Sequence, residues 1–150
     1  MALTIAPIRE ALKAQLNLVL SGRESDVKAY RVTGAAVFPR ITIEADPVDY
    51  VDYWVTGTSV GLATIRFVLV VECGPLNADG FADESARRRL DDFLSVGTGN
   101  DASIIDAVMS DKTLGGVADT CHIPRAEVDD ATATARLPLE VHVRKVGANV

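Results

Sequence analysis

Apolar residues between positions 4 and 20 fall at Ile5, Ile8, Leu12, Leu16, Val19 and Leu20, while Arg9, Glu10, Lys13, Gln15 and Asn17 lie elsewhere. That spacing follows the 3.6-residue period of a helix with one buried stripe. Pro7 falls in its first turn, where a missing N–H costs nothing, and Gly22 is expected to end it. A second helical pattern runs from Asp83, read as N-cap, through Ala86, Leu90, Phe93 and Leu94. A third restarts with Asn100 or Asp101 as cap, sets Ile104, Ile105, Val108 and Met109 on one stripe, and is expected to stop at Gly115-Gly116.

The remaining pattern is alternation, the period of a strand. A short strand is predicted over 27–32. Another runs from about Phe38 to Glu44, and Pro39 requires it to begin there or lie at an edge. Residues 53–56 and 62–72 read as a hairpin joined through 57–61, forming an extension over about 51–66. In its second strand Ile65, Phe67, Leu69 and Val71 share one face, and Arg66, Val68, Val70 and Glu72 the other, whose apolar middle predicts that both faces are covered there. A strand is predicted over 118–123, a polar connection over 124–133, and a clean alternation over 135–146. There Leu137, Leu139, Val141 and Val143 face one way and Arg136, Pro138, Glu140, His142 and Arg144 the other, with Pro138 placing the strand's start near an edge. The order is one helix, three or four strands, two helices, two strands, within one domain spanning 1–150. Without regular strand–helix alternation, the expected class is α+β: a mainly antiparallel mixed sheet with the three helices packed on one side.

Composition narrows the function. Apolar residues make up 48% and charged ones 24%, the balance of a chain that folds around a core. The longest apolar run is too short to cross a bilayer, and the start lacks a basic region followed by an apolar stretch, so a soluble, unexported protein with no membrane partner is expected. With 21 acidic against 15 basic residues and a net charge of -6, the chain is not one that holds nucleic acid by neutralising phosphates.

Catalytic groups are sparse. Cys73 and Cys121 are too few for a disulfide framework and fit no metal spacing, so buried thiols are expected. His122 and His142 approach each other if their strands pair. A zinc set of Cys121, His122, His142 and a carboxylate is disfavoured because neighbouring strand residues point to opposite faces. No serine-nucleophile elbow is present, and Gly97-Thr98-Gly99 lacks the ending of a phosphate loop. The expectation is no enzyme, no cofactor and no metal, with a small thiol- or metal-dependent enzyme as the rival class. The one basic cluster is Arg87-Arg88-Arg89, with Asp91 and Asp92 four residues beyond the first two, the spacing of a salt-bridged helix face. Contact with an acidic partner subunit is the first alternative for it, and contact with DNA phosphate the second. Tyr53 and Trp54 read either as core or as part of a subunit interface.

The run S-A-R-R-R-L-D-D-F-L-S over 85–95, a glycine-containing linker, and S-I-I-D-A-V-M-S-D-K-T-L-G-G-V-A-D over 103–119 resemble the late half of tail terminator proteins of long-tailed bacteriophages, especially those of actinobacterial hosts. The positions that carry the resemblance are Arg87, Leu90, Asp91, Phe93 and Leu94, then Asp111, Thr113, Leu114, Gly115, Gly116 and Asp119. Specific similarity extends over about 62–143, the first 60 residues match only in architecture, and residues 46–61 give no sequence match. The resemblance implies a virion structural protein assembled in the host cytoplasm. Such proteins form a homo-oligomeric ring, usually hexameric, at the head–tail neck. The ring caps the tube built by the major tail tube protein, stops its polymerisation, and offers a docking surface to the head-side connector or stopper, while genomic DNA passes through the lumen. The runner-up in the same class is another neck, head-completion or tail-tube component. For a neighbouring subunit or the tube, the candidate contacts are Tyr53, Trp54, Thr58, Ser59 and Arg66 on the hairpin, with Arg87, Arg88 and Arg89 as the charged contact. Thr113 to Gly116 are expected to shape a turn.

Overall fold

The computed structural model of the chain describes residues 4–20, 26–28, 30, 38–56, 59–97 and 103–144. In chain order these form α1 (Ile5–Leu20), β1 (Asp26–Lys28), β2 (Arg40–Ala45), β3 (Val51–Thr56), β4 (Ser59–Glu72), α2 (Glu84–Leu94), α3 (Ile104–Met109), β5 (Thr120–His122), β6 (Glu127–Asp129) and β7 (Thr134–Arg144). The fold is α+β, with a mixed, open seven-stranded sheet and three helices.

The sheet is organised by β4 and β7, which pair antiparallel from Leu62↔Arg144 to Glu72↔Thr134. On the other edge of β4, β2 pairs with its second half and β3 with its first. Residues 46–50 loop out between them, where Asp46 N–H donates to the Arg66 carbonyl and Arg66 N–H to the Tyr50 carbonyl. Here β2 and β3 are in effect one long strand with an excursion. β1 adds to β2 in parallel, while β5 and β6 share the far edge of β7.

The alternation seen in the sequence sorts the two faces. Ile65, Phe67, Leu69 and Val71 from β4 and Ala135, Leu137, Leu139, Val141 and Val143 from β7 are buried. They join Ile8, Leu12 and Leu16 of α1, Ala86, Leu90 and Phe93 of α2, and Ile104, Ala107 and Val108 of α3 in one cluster. Each large side chain removed from water there contributes about 1.5–3 kcal/mol. Of the opposite face, Val68 is buried and Val70 half-buried, as the apolar middle predicted, but Arg66, Glu140 and His142 flank them as a polar, partly exposed surface.

Several expectations are corrected. The α3 cap is Ser103, whose hydroxyl accepts from Asp106 N–H at 3.1 Å; Asn100 and Asp101 lie outside the described residues, as does Gly22. The helix ends at Met109 rather than at the glycines. Asp111 then accepts from Thr113 N–H, Thr113 Oγ1 and Gly115 N–H, and carries the chain through Leu114, Gly115 and Gly116 at φ 50°, 73° and 94°. The connection over 124–133 contains β6, whose three residues are all exposed and so carry no alternation. β2 does begin just after Pro39, but pairs on both sides. Pro138 does not mark an edge. Asp119 N–H donates to the His142 carbonyl, so even-numbered β7 residues point their backbone toward the β5 and β6 side, and Pro138 falls in the gap between those two strands. A proline is tolerated there because no partner needs its missing N–H.

Two residues assigned to the polar side of α1 are recruited inward. Arg9 is 8% exposed; its guanidinium lies 4.3 Å from the Tyr30 ring centre and 5.4 Å from that of Phe67, and bonds the Tyr50 hydroxyl at 3.0 Å. Aromatic faces stabilise such a desolvated cation. The Gln15 amide reaches the carbonyls of Ala107, Val108 and Asp111 at 2.9–3.0 Å, supplying the donors that the end of α3 lacks.

Candidate functional site

The residues expected to meet a partner fall on two separate parts of the molecule. β3 and β4 form the expected hairpin, but a tighter one: the strands close to Thr56↔Ser59, so the connection is residues 57–58 rather than 57–61. Its pairing continues to Thr56↔Ser59, beyond Leu62↔Arg144, the last pair that β4 makes with β7 among the described residues. Tyr53, in β3, is 58% exposed. Trp54 and Ser59 belong to β3 and β4, but their side chains, and Thr58 altogether, lie outside the described residues.

Arg66 is not a loose surface cation. Its guanidinium bonds Asp52 through Nη1 and approaches Glu140 Oε1 through Nε at 3.4 Å. The Asp52 carboxylate, with Glu140 behind it, raises the Arg66 pKa further above its ordinary value.

Arg87, Arg88 and Arg89 lie on α2, which packs on the buried side of the sheet, away from Arg66. Asp83 caps this helix as expected, accepting from Ala86 N–H at 2.8 Å. The anticipated pairs with Asp91 and Asp92 are replaced. Arg87 bonds Asp130, beyond β6, and Arg88 pairs backward with Glu84 at 2.9 Å. A helix end that docks beside the β6–β7 turn brings Asp130 closer than any residue of the same helix face. Arg89 is half-buried beside Cys73.

The densest gathering of chemistry-bearing groups lies elsewhere, on the polar face across β5, β7 and β4. The register sets His122 opposite Glu140 and Thr120 opposite His142, while Thr64 of β4 lies opposite His142 from the other side. Glu140 and His142 are two residues apart on β7 and therefore share a face. The imidazoles of His122 and His142 stack at 5.7 Å between centres and 14° between planes. Glu140 Oε2 lies 3.3 Å from His122 Nε2 and 3.8 Å from His142 Nε2, and Thr64 Oγ1 lies 3.1 Å from His142 Nδ1.

The two histidines thus approach as strand pairing required. The objection to Cys121 also holds: its side chain is 1% exposed on the buried face, while His122 points outward. What sequence reading missed is that Glu140 completes a cluster without the cysteine. The alternation places Glu140 and His142 together, but only the β5–β7 register adds His122.

Cys73 and Cys121 are buried free thiols. Burial pushes their pKa values up to about 12 and about 11, which leaves both as unreactive thiols near neutrality. No described helix is long and apolar enough to cross a membrane. Compared with known proteins, the chain matches no family model and no curated sequence.

Proposed function

We propose that the protein is a tail terminator, a virion structural subunit that closes into a ring, most simply of six copies, on the head-proximal end of a phage tail tube. The ring halts tube growth, presents a surface to the head-side connector and lets DNA pass through its lumen. The observation that carries the reading is the β3–β4 hairpin. Its pairing continues beyond the last described pair of β4 with β7, and the outer edge of β3 takes no partner among the described residues. A strand edge left without a partner is a template for a neighbour's strand, and a head-to-tail contact of that kind closes into a ring when its rotation permits.

The sequence resemblance agrees with a structural role for its motif. Asp111 ties the turn through Gly115, Leu114 is buried beneath it, and the Asp119 carboxylate accepts from the Arg144 N–H on β7. Those residues hold α3 to the last strand, so their pattern is a mark of the fold. An excess of acidic over basic residues suits a lumen that repels phosphate.

Pairing fixes which β3 backbone groups face outward. Arg66 N–H points toward the β3 side, so Thr64 does too, its partner Asp52 faces β4, and Tyr53 N–H faces away from the sheet. Tyr53→Pro therefore removes an outward donor and leaves the β3–β4 ladder intact. Added to growing tubes of the same virus's tail tube protein, the native chain should arrest elongation, and Tyr53→Pro should fail to do so while retaining its circular dichroism spectrum. Tubes that lengthen equally with and without the native protein would refute the proposal.

A further inference from the structure

We propose that His122, Glu140 and His142 bind one divalent transition-metal ion, of the zinc, cobalt or nickel type, on the outer face of the sheet. The donor atoms lie within 4.8 Å of one another, and the reading does not depend on the tail terminator assignment.

Three features argue for a site over a chance ion pair. The first is distance. An ordinary N–H···O bond spans about 2.7–3.2 Å. The Glu140 Oε2 to imidazole separations of 3.3 and 3.8 Å are longer. They approach the separation of about 3.3 Å between neighbouring donors on a tetrahedral ion with bonds of about 2.0–2.1 Å. Closing the set takes small rotations of the exposed His122 ring and of the partly exposed Glu140 carboxylate, which must shorten its 3.8 Å separation from His142.

The second feature is orientation by surrounding groups. Thr64 Oγ1 engages His142 Nδ1, which directs Nε2 into the cluster. Arg66 Nε approaches Glu140 Oε1 and leaves Oε2 toward the rings. Partners that fix the far atom of each ligand are the usual company of a metal-binding imidazole or carboxylate. The charge of Arg66 is matched by Asp52, so it does not repel a dication as a bare guanidinium would.

The third is the donor type. Two imidazoles and one carboxylate favour borderline transition ions over magnesium or calcium, which prefer oxygen sets. The exposed side of His122 leaves room for water or a neighbouring subunit's donor to complete the coordination. Because β5 pairs with β7 over only three residues, the ion would also fasten that short strand.

The test uses untagged, metal-stripped full-length protein titrated with zinc by calorimetry, and with cobalt by visible absorption. One ion per chain is expected, with cobalt bands of a low-coordinate nitrogen and oxygen site. Zinc at 100 times its Kd should raise the melting temperature by about 5–10 °C. His122→Ala, at an exposed position that should not disturb folding, should weaken binding at least tenfold. Thr64→Val should weaken it roughly 10–100-fold by freeing the His142 ring. Cys121→Ala should leave affinity unchanged. No heat or spectrum at 100 μM metal, or affinity undiminished in His122→Ala, would overturn the proposal.

Discussion

Gly74 sits where β4 hands over to the loop before α2, and a methyl group added there tests how tightly that helix is seated. A Cβ built at Gly74 lies 2.8 Å from the Ala86 Cβ, against about 3.5–4.0 Å for relaxed carbon contacts. Ala86 cannot simply turn aside. It is 6% exposed in the first turn of α2, its N–H is bound by Asp83, and Ala82 N–H is tied to the Ala131 carbonyl at 2.8 Å. The helix start must move by most of an ångström, a case of overpacking that costs about 1–3 kcal/mol. Restricting the unfolded chain returns about 0.4–1 kcal/mol. Gly74→Ala should therefore destabilise the protein by about 1–2 kcal/mol and lower its melting temperature by about 2–8 °C. Ala86→Gly, which removes the obstructing methyl, destabilises on its own through helix propensity and lost burial. Combined, the two changes should be less harmful than their sum by about 1–2 kcal/mol. Urea unfolding followed by circular dichroism measures all four corners of the cycle. A Gly74→Ala variant as stable as the parent, or a strictly additive double variant, would refute the packing argument.

Three further outcomes follow from single sites. Gly115→Val should destabilise by about 1–2 kcal/mol, because φ 73° is a left-handed conformation that a β-branched residue resists; an unchanged melting temperature would contradict this. The Thr113 hydroxyl, then the Gly115 and Thr113 N–H groups, hold the Asp111 carboxyl below its ordinary 3.8. A lowered folded pKa adds stability that is complete above the unfolded value and fades as pH falls through the folded one, so the deficit of Asp111→Asn should be full at pH 7 and shrink below about pH 4. A melting-temperature difference that is constant down to pH 2.5 would count against that assignment. Finally, Cys73 and Cys121, buried with raised pKa values, should resist a disulfide thiol reagent at pH 8 in the native state and both react in denaturant; rapid labelling of the folded protein would show that α2 or β5 opens readily.

Where one residue reports its own surroundings, the sequence was legible. The faces of β4 and β7 follow from alternation, and the start of α2 from Asp83 with the spacing of Ala86, Leu90 and Phe93. What escaped depends on neighbours distant in the chain. β6 is three exposed residues that become a strand only because β7 offers an edge. Arg87 bonds Asp130, 43 residues away, in preference to the Asp91 expected from helical spacing. Arg9 reads as a polar-face cation until Tyr50 and Phe67 close around it. The His122, Glu140 and His142 cluster likewise rests on the register of a three-residue strand, which no local pattern announces.

The most direct measurement is electron microscopy of the purified protein mixed with tube polymer grown from the tail tube protein that the tail terminator proposal pairs with it. The tail terminator account predicts rings seated at one end of each tube, with growth arrested there, and loss of both in Tyr53→Pro. Tubes with bare ends that continue to lengthen would contradict it.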